Sequence, residues 1–271
     1  METIVQFGPE GRLVGLLTGP ERASGPTLVL PSAGLLPRSG PFRLHVELAR
    51  RLAAHGVRTF RFDVPGVGES PRIPGWDARR AVLAAIDHLA ARHGCQRFVV
   101  GGLCSAADVG WKVALEDSRV DGLLMLDGVS FTGPWFHLAR IVEVFRRPPR
   151  TWPGVVRRLL ARRAAGGPKL DMGAYREWPG RAEVRRDFAA LVARDVRSLW
   201  IFTGGHAACF AHPRQFGWSL GPAARDPRVV MHHWPDCSHT FYLRGHRDRL
   251  LGVIDAWMTR DFGSAGARHA A

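Results

Sequence analysis

Apolar positions along the chain follow two periods. TIVQF (3–7) and RLVGLLT (12–18) flank the turn GPEG and predict an antiparallel hairpin. TLVL, VRTFRF, RFVVGGL, VDGLLML, SLWIFT and RVVMHHW are further strand-like runs, spaced through the rest of the chain. Helical spacing fills the gaps. In 42–56, Phe42, Val46, Leu48, Ala49 and Leu52 recur on one face and Gly56 stops the helix. The stretch 76–94 has Asp77 near its start and Gly94 at its end, and 106–116 and 246–262 add two more helices. Strands and helices alternating at these lengths predict βαβ units, hence an α/β fold with a mostly parallel sheet flanked by helices.

The rhythm breaks between 131 and 195. RRPPRTWPG, RRLLARRAAGGP and REWPGRAEVRRDF contain no strand pattern, and they predict a helical cap inserted into one domain that spans 1–271. The end, GSAGARHAA, reads as a loose tail. No apolar run reaches the roughly 18 residues of a membrane span, and the first residues lack the order of a secretory signal. A soluble, cytoplasmic protein without stable membrane insertion is expected.

Charge changes this picture little. The formal net charge is +14, but lysine occurs only at Lys112 and Lys169, and arginine enrichment of this kind reads either as the product of a GC-rich genome without functional demand or as a match to an acidic substrate or protein partner. No zinc-finger spacing or RNA-binding aromatic motif is present, so nucleic acid is not expected as a partner. Cys95, Cys104, Cys209 and Cys237 lack CxxC spacing and read as free thiols. His206, His212, His232, His233 and His239 read as scattered loop and strand histidines; no metal and no cofactor are expected.

The candidate chemistry lies in GGLCSAADVG, 101–110. A nucleophile on a sharp strand-to-helix turn needs small residues two before and two after it, and Gly102 and Ala106 flank Cys104 in that way. Ser105 is a poorer nucleophile, because Leu103 would then occupy the tight position. Its backbone N–H is instead expected in an oxyanion hole, with a second donor from Ala33 or Gly34 in the loop PSAG. His239, in WPDCSHTFY after the last strand, arrives at the same sheet edge and is the candidate base; His232 and His233 lie within the strand. The acid is less determined. The turn TGGHAACF carries no carboxylate, which leaves Asp127 at the end of LLMLD, Asp236 near the histidine, or no acid at all. A cysteine tolerates the last case better than a serine would.

With PSAG, FRFDVPGVGES, the cysteine turn and SHTF in this order, the chain resembles the α/β-hydrolases over about 28–127 and 198–257. More narrowly it resembles the exosortase-associated hydrolases, whose turns read Gly-Leu-Cys and Phe-Asp-x-x-Gly-x-Gly. The resemblance implies an α/β-hydrolase fold, nucleophile Cys104, base His239 and an oxyanion loop around Ala33. An acyl-Cys104 thioester exchanges almost evenly with a thioester substrate. Three functions follow: an acyl hydrolase or thioesterase, an acyltransferase to an amine or alcohol, and a catalytically silent binding protein of this fold. The expected partner is a small-molecule acyl substrate, carried on an acyl carrier protein or coenzyme A. Arg146, Arg147, Arg150, Arg157, Arg158, Arg162 and Arg163 are candidates to meet such a carrier, and Trp135, Phe136, Trp152 and Trp178 to line an acyl pocket.

Overall fold

The computed structural model describes residues 1–21, 23, 25–146, 148, 150, 152, 154, 157 and 178–263. Its centre is one eight-stranded sheet. The strands are β1 (Glu2–Phe7), β2 (Leu13–Thr18), β3 (Thr27–Pro31), β4 (Thr59–Phe62), β5 (Phe98–Leu103), β6 (Val120–Leu126), β7 (Arg197–Thr203) and β8 (Val229–Trp234). They lie in the order β1-β2-β4-β3-β5-β6-β7-β8. The hairpin β1–β2 and the pair β2–β4 are antiparallel, and every later pair is parallel. Parallel neighbours need crossovers, and the helices supply them.

Those helices are α1 (Leu44–Ala54), α2 (Ala78–His93), α3 (Ser105–Glu116), α4 (Pro134–Phe145), α5 (Arg181–Ala193), α6 (Arg214–Leu220) and α7 (Arg244–Phe262). α2 opens on Asp77, whose carboxylate accepts the Arg80 N–H at 2.8 Å, and closes on Gly94 in the left-handed region. None of the described helices is long and apolar enough to cross a membrane.

Continuous apolar strands are buried on both faces, so alternate residues serve different layers. Leu28, Leu30, Val99, Leu103, Leu124, Leu126, Leu199 and Ile201 meet α1 and α7. Their neighbours Val29, Phe60, Phe62, Phe98, Val100, Met125, Trp200 and Phe202 meet α2, α3 and α5.

Three local readings of the sequence change. Phe42 does not begin the helix: it and Arg43 take left-handed backbone, at φ 50° and 62°, and the Phe42 ring is exposed. The turn GPFR ahead of α1 therefore breaks the helical spacing before Leu44. The short helix α6, in a stretch dense in glycine and proline, carries no readable period. Finally, α5, placed by sequence at the end of the insertion, buries Val184, Phe188, Leu191 and Val192 against the sheet layer. Trp178 likewise packs edge-on to Trp111 of α3, with ring centroids 5.9 Å apart.

Candidate active site

The turn at Cys104 is built by what its neighbours lack. Cys104 has φ 55° and ψ −117°, a conformation costly for a residue with a side chain, and its N–H continues the sheet by donating to Leu126 O at 2.9 Å. A Cβ on Gly102 would lie 3.2 Å from the Ala106 Cβ, so larger residues at these two positions would push strand and helix apart. Deeper in the turn, a Cβ on Gly110 would meet the Gly101 Cα at 2.7 Å, and one on Gly101 would meet Leu124 O at 2.1 Å. Gly110 lets α3 lie directly on β5, and Gly101 lets β5 lie close against β6.

The histidine loop reaches the same edge. His239 Nδ1 lies 2.6 Å from Asp127 Oδ2, and the ring also hydrogen-bonds Cys104. An ionised carboxylate only accepts, so Nδ1 carries the proton and Nε2 is left to the sulfur. Hydrogen bonds to Asp127 and then to Cys104 favour the charged ring, burial opposes it, and the His239 pKa is pushed up to about 9. Asp127 is wholly buried, just past β6, with its N–H on Ile201 O at 2.8 Å. Thr203 at the end of β7 donates to it twice, from the backbone N–H and from the hydroxyl, each at 2.7 Å.

Asp236, the other candidate acid, faces away. Its Oδ2 lies 3.5 Å from Arg249 Nη1 and 3.6 Å from His246 Nε2, both on α7. Asp236, Cys237 and His246 bring three ligand-type atoms within 4.8 Å of one another, although the Arg249 cation already shares Asp236.

Sequence reasoning missed the roles of three residues. Thr203 sat unremarked at the end of a strand, and only the β6–β7 pairing shows that it faces Asp127. Gly204 and Gly205 were noted for lacking an acid; their role is closeness. A Cβ at Gly205 would lie 2.4 Å from the His239 nitrogen, and one at Gly204 would lie 2.1 Å from Pro235 O.

The loop after β3 also arrives at the turn. Gly34 N–H donates to Ser105 Oγ at 3.0 Å, which ties the loop to the start of α3 and engages one of the two loop N–H groups considered as oxyanion donors. Ala33 is buried beside it. Ser105 opens α3, so its N–H has no acceptor within that helix. Further along this loop the Arg38 N–H donates to Asp63, buried just after β4, at 2.6 Å; Asp63 also accepts the Glu69 N–H at 3.2 Å and pairs with the Arg38 guanidinium. A Cβ at Gly68 would fall 2.4 Å from the Asp63 carboxylate, so the glycine-rich run PGVGES wraps this anion.

Residues 28–270 match the family model described as the alpha/beta hydrolase family. The chain belongs to that family. The hydrolase is similar in fold to an esterase of Pyrococcus furiosus, at 12% identity and TM-score 0.61, with 96% of this chain and 91% of that one covered. It is also similar to an alpha-beta serine hydrolase homologue from Coxiella burnetii, at 15% identity and TM-score 0.56, covering 94% and 96%. The esterase domain of a Rhodothermus marinus protein aligns at 16% identity and TM-score 0.55 over 97% and 99%. No curated protein matches it in sequence.

Of the residues proposed for the cap, Trp135 stacks on His212 at 5.4 Å, Trp152 meets Phe145 edge-on at 5.3 Å, and Phe136 lies edge-on to His137 at 5.5 Å. Arg147, Arg158, Arg162 and Arg163 lie outside the described residues of the hydrolase.

Proposed function

We propose that this hydrolase cleaves an acyl ester or thioester through an acyl-Cys104 intermediate, as an acyl hydrolase or thioesterase. One observation carries the reading: a single imidazole, His239, is held between a buried carboxylate at 2.6 Å and the sulfur of the strained turn. The protonated ring stabilises a thiolate, and the thiolate attacks the acyl carbonyl. Negative charge developing on the carbonyl oxygen meets the N–H of Ser105 and, from the β3 loop, that of Ala33. His239 gives its proton to the departing thiol or alcohol as the tetrahedral species collapses, leaving a thioester on Cys104. It then takes a proton from water, which attacks that thioester, and the carboxylic acid and free Cys104 are released. Asp127 keeps the imidazole in one tautomer and offsets its positive charge.

In this reading the outcome depends on whether water or an amine or alcohol meets the acyl group; the latter would make the enzyme an acyltransferase. The finer resemblance to exosortase-associated hydrolases rests on GLC and FDVPGVG and supports cysteine rather than serine chemistry. The test is intact mass after incubation with a panel of acyl thioesters and activated esters. An adduct on the wild type that Cys104→Ala lacks is expected. An adduct that persists in Cys104→Ala would overturn the assignment, as would an unreactive Cys104 across the panel. Product analysis with amine and alcohol acceptors separates hydrolysis from transfer.

A further inference from the structure

A second concave site lies between α1, β2, β4 and the loop after β3. Its volume is about 330 Å³, and its walls include Arg38, Arg43, Arg50 and Arg61, with Glu2 the carboxylate among its described lining residues. Arg61 is the decisive wall. Its side chain is only 5% exposed, and its Nε is buried without a hydrogen-bond partner. Glu2 Oε1, the carboxylate that reaches it, lies 3.3 Å from Nη2 and is shared with Arg50 Nε at 3.5 Å. One partly exposed carboxylate divided between two guanidinium groups compensates a buried charge poorly.

The other arginines add to the excess. Arg43 has no ion-pair partner among the described residues and is delivered by the left-handed turn before α1. Arg38 is held by Asp63 and Glu69, yet its Nε too is buried without a partner. His45, wholly buried under the loop with Gly40 against its ring, has a pKa pushed down to about 4, by burial first and by the Arg61 charge; the Arg38 carbonyl acts in the opposite sense. Guanidinium groups converging on a cavity present forked N–H donors that fit the oxygens of a phosphate.

We propose that this cavity binds a phosphate-type anion, the phosphoryl or pyrophosphoryl group of the acyl donor or of a small effector. The acyl-donor case rests on the function proposed above. The cavity and the nucleophile share one loop: Gly34 is bonded to Ser105 beside Cys104, and the four residue steps from Gly34 to Arg38 span no more than about 14 Å. The loop thus joins the anion cavity to the turn that carries the nucleophile.

The test uses the Cys104→Ala protein, so that no reaction enters the measurement and failure of the catalytic reading leaves it intact. Inorganic pyrophosphate and coenzyme A are titrated by calorimetry at fixed ionic strength. The variants carry Arg43→Gln with Arg50→Gln in the cavity or, as an equal charge change on exposed residues elsewhere, Arg186→Gln with Arg225→Gln. Saturable one-to-one binding of pyrophosphate is expected, weakened about tenfold or more by the cavity pair and unchanged by the control pair. Coenzyme A binding about tenfold tighter than pyrophosphate assigns the site to the donor; equal affinities assign it to a free anion. No saturation up to about 10 mM, or equal weakening by both pairs, overturns the site and leaves adventitious surface charge only.

Discussion

Asp63 and Asp127 each follow the last residue of a strand, in the same sheet, and both are fully buried. Their partners differ. Asp63 is matched by the Arg38 guanidinium and by two loop N–H groups, so its charge is spent within the fold. Asp127 receives neutral donors from Thr203, and it holds the imidazole of His239 at 2.6 Å. Neutral donors hold a carboxylate in place while leaving its field for a proton-carrying ring; a fixed cation cancels that field and fastens a loop instead. The difference teaches that burial and strand-end position alone do not mark a candidate catalytic acid. The charge of its neighbours does.

The contrast can be broken at several points. Cys104→Ala should give the largest effect, a fall in turnover of roughly 10⁴-fold with little change in melting temperature, read by steady-state kinetics beside thermal unfolding. Asp63→Asn leaves Arg38 without its buried counter-charge and should cost about 3 kcal/mol of stability, measured by urea unfolding. Should the two asparagine variants lose stability equally, the distinction drawn between the carboxylates fails. Asp127→Asn should lower kcat by roughly 10²-fold, the low end for a group supporting proton transfer, because a cysteine needs less help than a serine. Placing Cys104→Ser in both backgrounds sharpens this: the penalty for losing Asp127 should grow if the enzyme must then deprotonate a hydroxyl.

The smallest effect is in pH dependence. His239 has a folded pKa of about 9 against an ordinary value of 6.5, so its contribution to stability is complete below about pH 6.5 and is lost as pH rises through 9. Solvent screening of the partly exposed ring reduces that contribution to about 1 kcal/mol. Melting temperatures of wild type and His239→Gln should therefore converge between pH 6.5 and 9.5, whereas Asp63→Asn should stay separated from wild type across that range.

The strands and the cysteine turn were legible because their signals are local. Gly102, Ala106 and the apolar run before them specify a tight turn whatever the rest of the chain does. The carboxylate partner of His239 was not decided by sequence, because the choice between Asp127 and Asp236 depends on which strands are neighbours. Asp236 is nearer His239 in the chain, yet α7 draws it toward Arg249 and His246. The arginine cavity was illegible for the same reason. Arg38, Arg43, Arg50 and Arg61 come from a loop, a turn, a helix and a strand, and in sequence they disappear among the many other arginines. Phe42 was misread because two left-handed residues interrupt a helical apolar spacing that is otherwise complete.

Gly205 limits how this active centre can be redesigned. The turn after β7 carries no carboxylate of its own, and moving the acid there is an obvious exchange to attempt in the laboratory. The backbone of His239 occupies the space that any side chain at 205 would need, 2.4 Å from the position of its first carbon. An aspartate introduced at 205 would displace the histidine it was meant to serve, so no gradual path of single substitutions through that position can relocate the acid.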